Sequence, residues 1–330
     1  MRLYYHIEET FGDFMKKLDE NFFLKDLSDE IKNEVLNGNI EIILELYEEC
    51  DIDEDKLKLL EQNLNKYSIP LKNFTFIHDC FDLPDSEYEK KYNKTHLYRK
   101  ANQTIEYLKS GVLSNPEIFN KKYKFHFPIR RCKKHRMKLL DKLFLHDENF
   151  IENNLVSYDI DAIENPNIWG DHKEKYSDKF VKYIERTRHK YIDSKNYENM
   201  GGYSCETKET YDSSYITIVT ETYFEQPYNY ISEKVYRPIM QCHPFIFMGR
   251  PKTLKVLKNE FGFRTFSPLI DESYDEELDD TKRFEMIYQE ILRLNNMSFE
   301  QLNSFVYDLK DILIHNQNQI LSFSKDNKIQ

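Results

Sequence analysis

The feature that most limits what this chain can fold into is a pair of short β-forming runs with a helix-patterned segment between them. Residues 215–220, YITIVT, are dense in β-branched and aromatic side chains and read as a strand. Residues 233–241 carry helical periodicity, and residues 244–248, PFIFM, form the wholly apolar run of a buried strand. Strand, helix and strand in that order call for a parallel sheet with helical crossovers.

The same alternation runs through the rest of the chain. Residues 3–7 and 40–46 read as strands, the second following the Asn-Gly turn signal in LNGN, and residues 74–77 as another. Between them, residues 53–64 place Leu57, Leu59, Leu60 and Leu64 near helical spacing. Residues 102–108 read as helix before Gly111 and Pro116 break the pattern. A second series follows, with strands at 123–127 and 155–157 around a helix at 132–144. Residues 165–213 are polar and irregular with a helix near 180–186; residues 253–259 read as helix, 262–266 as strand, and 281–294 and 298–315 as two long helices. The expected fold is α/β, with an N-terminal α/β domain over residues 1–118 and a C-terminal one over 119–330 whose last helix crosses back on the first.

Composition supports two cores: 330 residues, 40% hydrophobic and 15% aromatic. A net charge of −11, from 58 acidic against 47 basic side chains, argues against nucleic acid or an anionic membrane as general partner. Cys50, Cys80, Cys132, Cys205 and Cys242 are odd in number, widely spaced and without a CxxC pair, which fits reduced structural thiols. No apolar run approaches the ~20 residues that span a bilayer, and MRLYYHIEET reaches charge before a signal-like run develops, so a soluble, cytoplasmic protein is expected. Dinucleotide, phosphate-loop, nucleophile-elbow and zinc-helix motifs are all missing, and His78-Asp79 lacks a convergent ligand set, so no metal centre is expected.

Chemistry concentrates in residues 217–266, where a strand ends in Thr220, Glu221 and Thr222 and a helix opens on Ser232, Glu233 and Lys234. Ligands of open α/β sheets collect beyond the carboxyl ends of strands and at helix starts. There a carboxylate such as Glu233 can accept both hydroxyls of a ribose, and an ammonium such as Lys234 can meet a phosphate, which together fit the ends of a nucleotide-sugar. A lysine at a helix start is disfavoured by roughly 0.3 to 1 kcal/mol, and a bound anion reverses that conflict. The plainer reading of the same residues is an N-capped, solvated turn. In IRRCKKHRMKLL, residues 129–140, Arg130 and Arg131 lie between a strand and a helix, with His135 and Arg136 about one turn later; they suit a diphosphate, a nucleic-acid patch or a solvated basic surface.

The run YITIVTETYF, followed by YISEKVYRPIMQCHPFIFMGRP, resembles the donor-binding signature of α1,3-fucosyltransferase-like glycosyltransferases, in the divergent branch found among large DNA viruses and some bacteria. The resemblance covers residues 214–266 most specifically. It departs from the family where Thr220-Glu221-Thr222 replaces Phe-Glu-Asn-Ser, and in Pro238, which falls inside the helix. It implies two Rossmann-like, parallel-sheet domains facing a cleft (GT-B-like), with ribose at Glu233 and phosphate at Lys234, and with Ser232, Glu221, Arg130, Arg131 and Arg136 in the donor site. It further implies an inverting, metal-independent enzyme without a cofactor, using a GDP-sugar or UDP-sugar, fucose among the sugars, and a glycan or other hydroxyl acceptor. A viral source would place it in the host-cell cytoplasm. Inversion needs a base for the acceptor hydroxyl. Strand-end carboxylates supply candidates: Glu49 first, then Glu48 and Asp79, with Glu45, Glu8 and Glu9 behind them. The readings from other classes are a catalytically inactive glycan-binding or interaction protein and a nucleic-acid-associated α/β protein.

Overall fold

The computed structural model describes residues 2–7, 28–46, 58, 61–62, 65, 74–78, 80–81, 93–96, 120–161, 165–190, 208–225, 229–267 and 269–326. The chain forms two units, Met1–Lys100 with Glu225–Ile231, and Ala101–Phe224 with Ser232–Gln330. In the first unit, strand β1 (Arg2–Ile7) precedes helix α1 (Asp29–Leu36) and strands β2 (Glu41–Leu46), β3 (Phe74–His78), β4 (Cys80–Phe81) and β5 (Asn93–His96). Strands β1, β2, β3 and β5 lie side by side in that order, every pair parallel. Helix α1 is capped by Ser28, carries Asp29 and Glu30 in its first turn, and is followed by Gly38 at φ 79°, the left-handed turn that the Asn-Gly pair signals. The expected strands at 3–7 and 74–77 fall within β1 and β3 and that at 40–46 begins one residue before β2, while Glu48, Glu49, Asp79 and residues 102–108 lie outside the described residues.

The second unit runs through β6 (Tyr123–Pro128), α2 (Lys134–His146), α3 (Phe150–Asn153), β7 (Leu155–Asp159), α4 (Asn165–His172), α5 (Asp178–Thr187), β8 (His189–Lys190), α6 (Lys208–Ser213) and β9 (Ser214–Thr220). The chain then visits the first unit, where β10 (Asn229–Tyr230) pairs antiparallel with β4. It returns as α7 (Glu233–Met240), β11 (Phe245–Met248), α8 (Thr253–Asn259), α9 (Asp280–Asn295), α10 (Phe299–Asp308) and α11 (Lys310–Asp326). The sheet order is β11-β9-β6-β7-β8, parallel except for the β7–β8 edge. All seven residues of β9, Ser214, Thr217 and Thr220 among them, and all four of the wholly apolar β11 are buried, as in strands covered on both faces. Helix α2 lays Met137, Leu139, Leu140, Leu143 and Phe144 on that core, and α11 packs on α7 within the same unit.

Three sequence expectations change. Residues 262–266 form no strand: Gly262 turns at φ 69°, and the Arg264 N–H and C=O are both taken by the Asn316 side-chain amide, at 2.7 and 2.8 Å. A backbone so satisfied has no need of a strand partner. The single helix at 298–315 is two, α10 and α11, meeting at Leu309. The irregular stretch 165–213 contains α4 and α6 besides the helix expected near 180–186.

Candidate functional site

The chain moves outward from β6 to β7 on one side of the second sheet and from β9 to β11 on the other, so its topological switch lies between β6 and β9. The crevice beyond the carboxyl ends of two such strands is where parallel sheets take ligands. Here it is bordered by residues 129–136 after β6 and by Glu221 and Ser232–Lys234 after β9.

Glu221 organises the β9 side. Its carboxylate is 1% exposed, with Oε1 accepting from the Ser232 N–H at 2.8 Å and Oε2 from the Ser232 hydroxyl at 2.7 Å and the Thr222 N–H at 3.1 Å. The Ser232 hydroxyl is thereby saturated: it donates to Glu221 and accepts from the Lys234 N–H at 3.3 Å, as the N-cap of α7, and from Lys234 Nζ at 3.0 Å. Lys234 Nζ also meets Glu233 Oε1 at 3.4 Å and stands 4.0 Å from Glu221 Oε2. Burial raises the pKa of Glu221, against the pull of Lys234 and of the two Ser232 hydrogen bonds. The Glu233 and Lys234 side chains remain 25% and 21% exposed, and so accessible to a ligand that the buried Glu221 does not meet. Helix α7 contains Pro238, which removes one internal bond; its first turn is tightened by a Val235 N–H to Ser232 C=O bond at 3.2 Å.

The β6 side is basic and tied to the β9 end by its backbone. Arg136, fully buried, donates to Glu221 O at 3.0 Å and Arg131 O at 3.2 Å, and Lys133 Nζ donates to Thr222 O at 3.1 Å. His135 Nε2 lies 2.9 Å from Glu221 O, so this nitrogen carries the hydrogen, and the ring stacks on Phe224 with centroids 5.7 Å apart. Burial, then the Arg136 charge, holds the His135 pKa well below its ordinary value, which leaves the ring neutral. Arg136 is thus committed to backbone carbonyls, whereas Arg130 is exposed and Arg131 partly so.

No family model and no curated protein matches this chain. A solved structure, trehalose-6-phosphate from E. coli bound with UDP-2-fluoro glucose, is similar at a TM-score of 0.39 and 12% identity, over 97% of this chain and 78% of that one.

Of the residues singled out in the sequence, Glu221, Ser232, Glu233 and Lys234 come together in one network, and Arg136 joins it through the Glu221 carbonyl. His135, singled out beside Arg136 in the basic run, joins the same carbonyl, and Lys133, which completes the β6 side, was visible only as a member of that run. Trp169 is packed into the core, stacked on Tyr176 at 5.5 Å. Among the described residues, Asp159, Asp161 and His189 could present metal-ligand atoms, but Arg188 pairs with both Asp161 oxygens. No described helix is long and apolar enough to cross a membrane.

Proposed function

We propose that this chain is a glycosyltransferase that takes its sugar from a nucleoside-diphosphate donor. The observation that carries the reading is the buried Glu221–Ser232 pair, which fixes Glu233 and Lys234 at the carboxyl edge of β9, beside the sheet's switch point. In this reading the Lys234 ammonium meets the diphosphate, the Glu233 carboxylate accepts from the ribose diol, and Arg130 and Arg131 face the phosphates from the β6 side. Arg136 and His135 hold the two strand ends together. The resemblance of residues 214–266 to α1,3-fucosyltransferase-like enzymes supports an inverting, metal-independent reaction. The acceptor oxygen then bonds to the anomeric carbon as the bond to the diphosphate breaks, the nucleoside diphosphate leaves, and a base takes the hydroxyl proton. Glu49, with Glu48 and Asp79, is the proposed source of that base, fucose the first sugar to test, and a glycan hydroxyl the acceptor.

The test is calorimetry with GDP and UDP in the presence of chelator, followed by a screen of GDP- and UDP-sugars for hydrolysis and transfer. Binding of a nucleoside diphosphate without metal and turnover of one donor are expected. Failure of every nucleoside diphosphate to bind rejects the reading, and binding that needs magnesium or manganese rejects its metal independence.

A further inference from the structure

Next to β9 in the sheet, the carboxyl end of β11 carries a cation that the fold does not satisfy. Arg250 comes two residues after Met248, which lies opposite Thr220 in the parallel register. The intervening Gly249 passes so close to the site that a Cβ there would strike the Phe247 ring and lie 3.3 Å from Glu221 Cβ. Arg250 is half-buried, its Nε–H is sealed from solvent, and no residue accepts a hydrogen bond from it.

Its charged surroundings add to the deficit. Arg283, fully buried, is held by Phe224 O at 2.7 Å, Glu277 O at 3.0 Å, Gly249 O at 3.2 Å and the Asp280 carboxylate. It acts on Arg250 as a like charge, and Asp280, the carboxylate that acts on Arg250, is already bound to Arg283. Burial first and Arg283 second lower the pKa of Arg250. A half-buried guanidinium with an unmet, desolvated N–H beside a second guanidinium carries an uncompensated charge, an anion at the part of its side chain that is open to solvent offsets that charge, and a guanidinium fork matches phosphate oxygens.

We propose that Arg250 is an oxyanion-binding residue whose ligand is the diphosphate of the nucleotide donor, approached from the β11 side as Lys234 approaches it from β9. The identity of the donor rests on the glycosyltransferase reading; the oxyanion site rests on Arg250 and Arg283 alone.

The experiment is calorimetry on the full chain with inorganic pyrophosphate, GDP, UDP and the two nucleosides, using wild type, Arg250→Met and Arg250→Lys. Arg250→Met is expected to weaken pyrophosphate and the nucleoside diphosphates by roughly 10- to 150-fold and to leave the nucleosides unchanged. Its melting temperature without ligand should equal or exceed that of wild type, because an unpaired buried donor has gone. Arg250→Lys keeps the charge and loses the planar fork, so it decides the matter should the methionine variant fail to fold: weakened pyrophosphate binding supports the site and unchanged binding overturns it. A wild type that binds GDP or UDP while Arg250→Met binds them equally well overturns the inference and spares the glycosyltransferase reading. Arg250-dependent pyrophosphate binding without nucleotide binding sinks that reading and keeps the oxyanion site. Binding of neither overturns both.

Discussion

Lys234 is the side chain whose removal separates a binding role from a structural one. Its ammonium touches Ser232 and Glu233 and stands near the buried Glu221, so Lys234→Ala takes away both a ligand contact and a local counter-charge. If the diphosphate binds there, the variant should lose roughly 1.5 to 3 kcal/mol, or about 10- to 150-fold, for nucleoside diphosphates and little for nucleosides, measured by calorimetry. Equal losses for both would point to a disturbed fold. The base is tested separately: Glu49→Gln, Glu48→Gln and Asp79→Asn are made one at a time, and the true base should cut transfer by about 10²- to 10⁴-fold while nucleotide affinity holds. Three variants with full transfer would reject the placement. Sequence alone marked Glu221, Ser232, Glu233 and Lys234, because a polar strand end and an N-capped helix are local patterns. It did not mark Arg250, although that residue lies two positions beyond β11 as Glu221 lies one beyond β9, nor could it tell that Arg136 spends its guanidinium on carbonyls from two separate loops. Such partners are set by tertiary packing, which leaves no trace in local spacing.

At the level of elements, α7 depends on a capping residue with two employers. Ser232 caps the helix and also donates to Glu221 through both its N–H and its hydroxyl. Ser232→Ala should therefore cost more than an ordinary cap, roughly 2 to 4 kcal/mol, since a buried carboxylate loses its hydroxyl donor at the same time. Glu221→Gln keeps the shape but turns an amide NH₂ toward groups that themselves donate, for roughly 1 to 3 kcal/mol. The double variant should cost less than the sum of the two, by about 0.5 to 3 kcal/mol, in urea unfolding. Strict additivity would mean that the two residues stabilise the fold independently. The flanking elements were legible for a simple reason: β9 and β11 are buried on both faces, and α8 matches the expected 253–259 to the residue. The strand expected at 262–266 was illegible because its backbone is satisfied by Asn316, some fifty residues away in sequence. A side-chain amide from another helix cannot be foreseen from local propensity.

For the whole molecule, the second unit buries titratable groups that pull stability in opposite directions as pH changes. His243 has Nε2 at 2.8 Å from Ser214 O and Nδ1 at 2.9 Å from Thr217 Oγ1, and burial, then the Lys121 charge, holds its pKa well below the ordinary histidine value. Its unfolded form takes a proton more readily than its folded form, so its contribution to stability is complete above the unfolded value of about 6.5 and is lost as pH falls. His135 has the same sign. Asp275 has the opposite one. It accepts the Leu254 and Lys255 N–H groups at 3.1 and 3.2 Å at the start of α8, yet burial outweighs them and pushes its pKa up to about 7. Protonation is thus favoured in the folded state, and the associated stability is complete below the unfolded value of about 3.9, is lost as pH rises, and is gone once pH passes the folded pKa. The windows overlap below about pH 6.5, so there the wild type alone should show a shallower profile than either group gives by itself. Subtraction separates them. The unfolding free energy of wild type minus that of Asp275→Asn should fall by at most ~1.4 kcal/mol per pH unit from pH 5 to 7 and level off above. Wild type minus His243→Gln should rise over the lower part of that range and flatten above about 6.5. Urea midpoints taken from pH 5 to 8.5 check both, and two flat differences would mean that neither group changes its proton affinity when the chain folds.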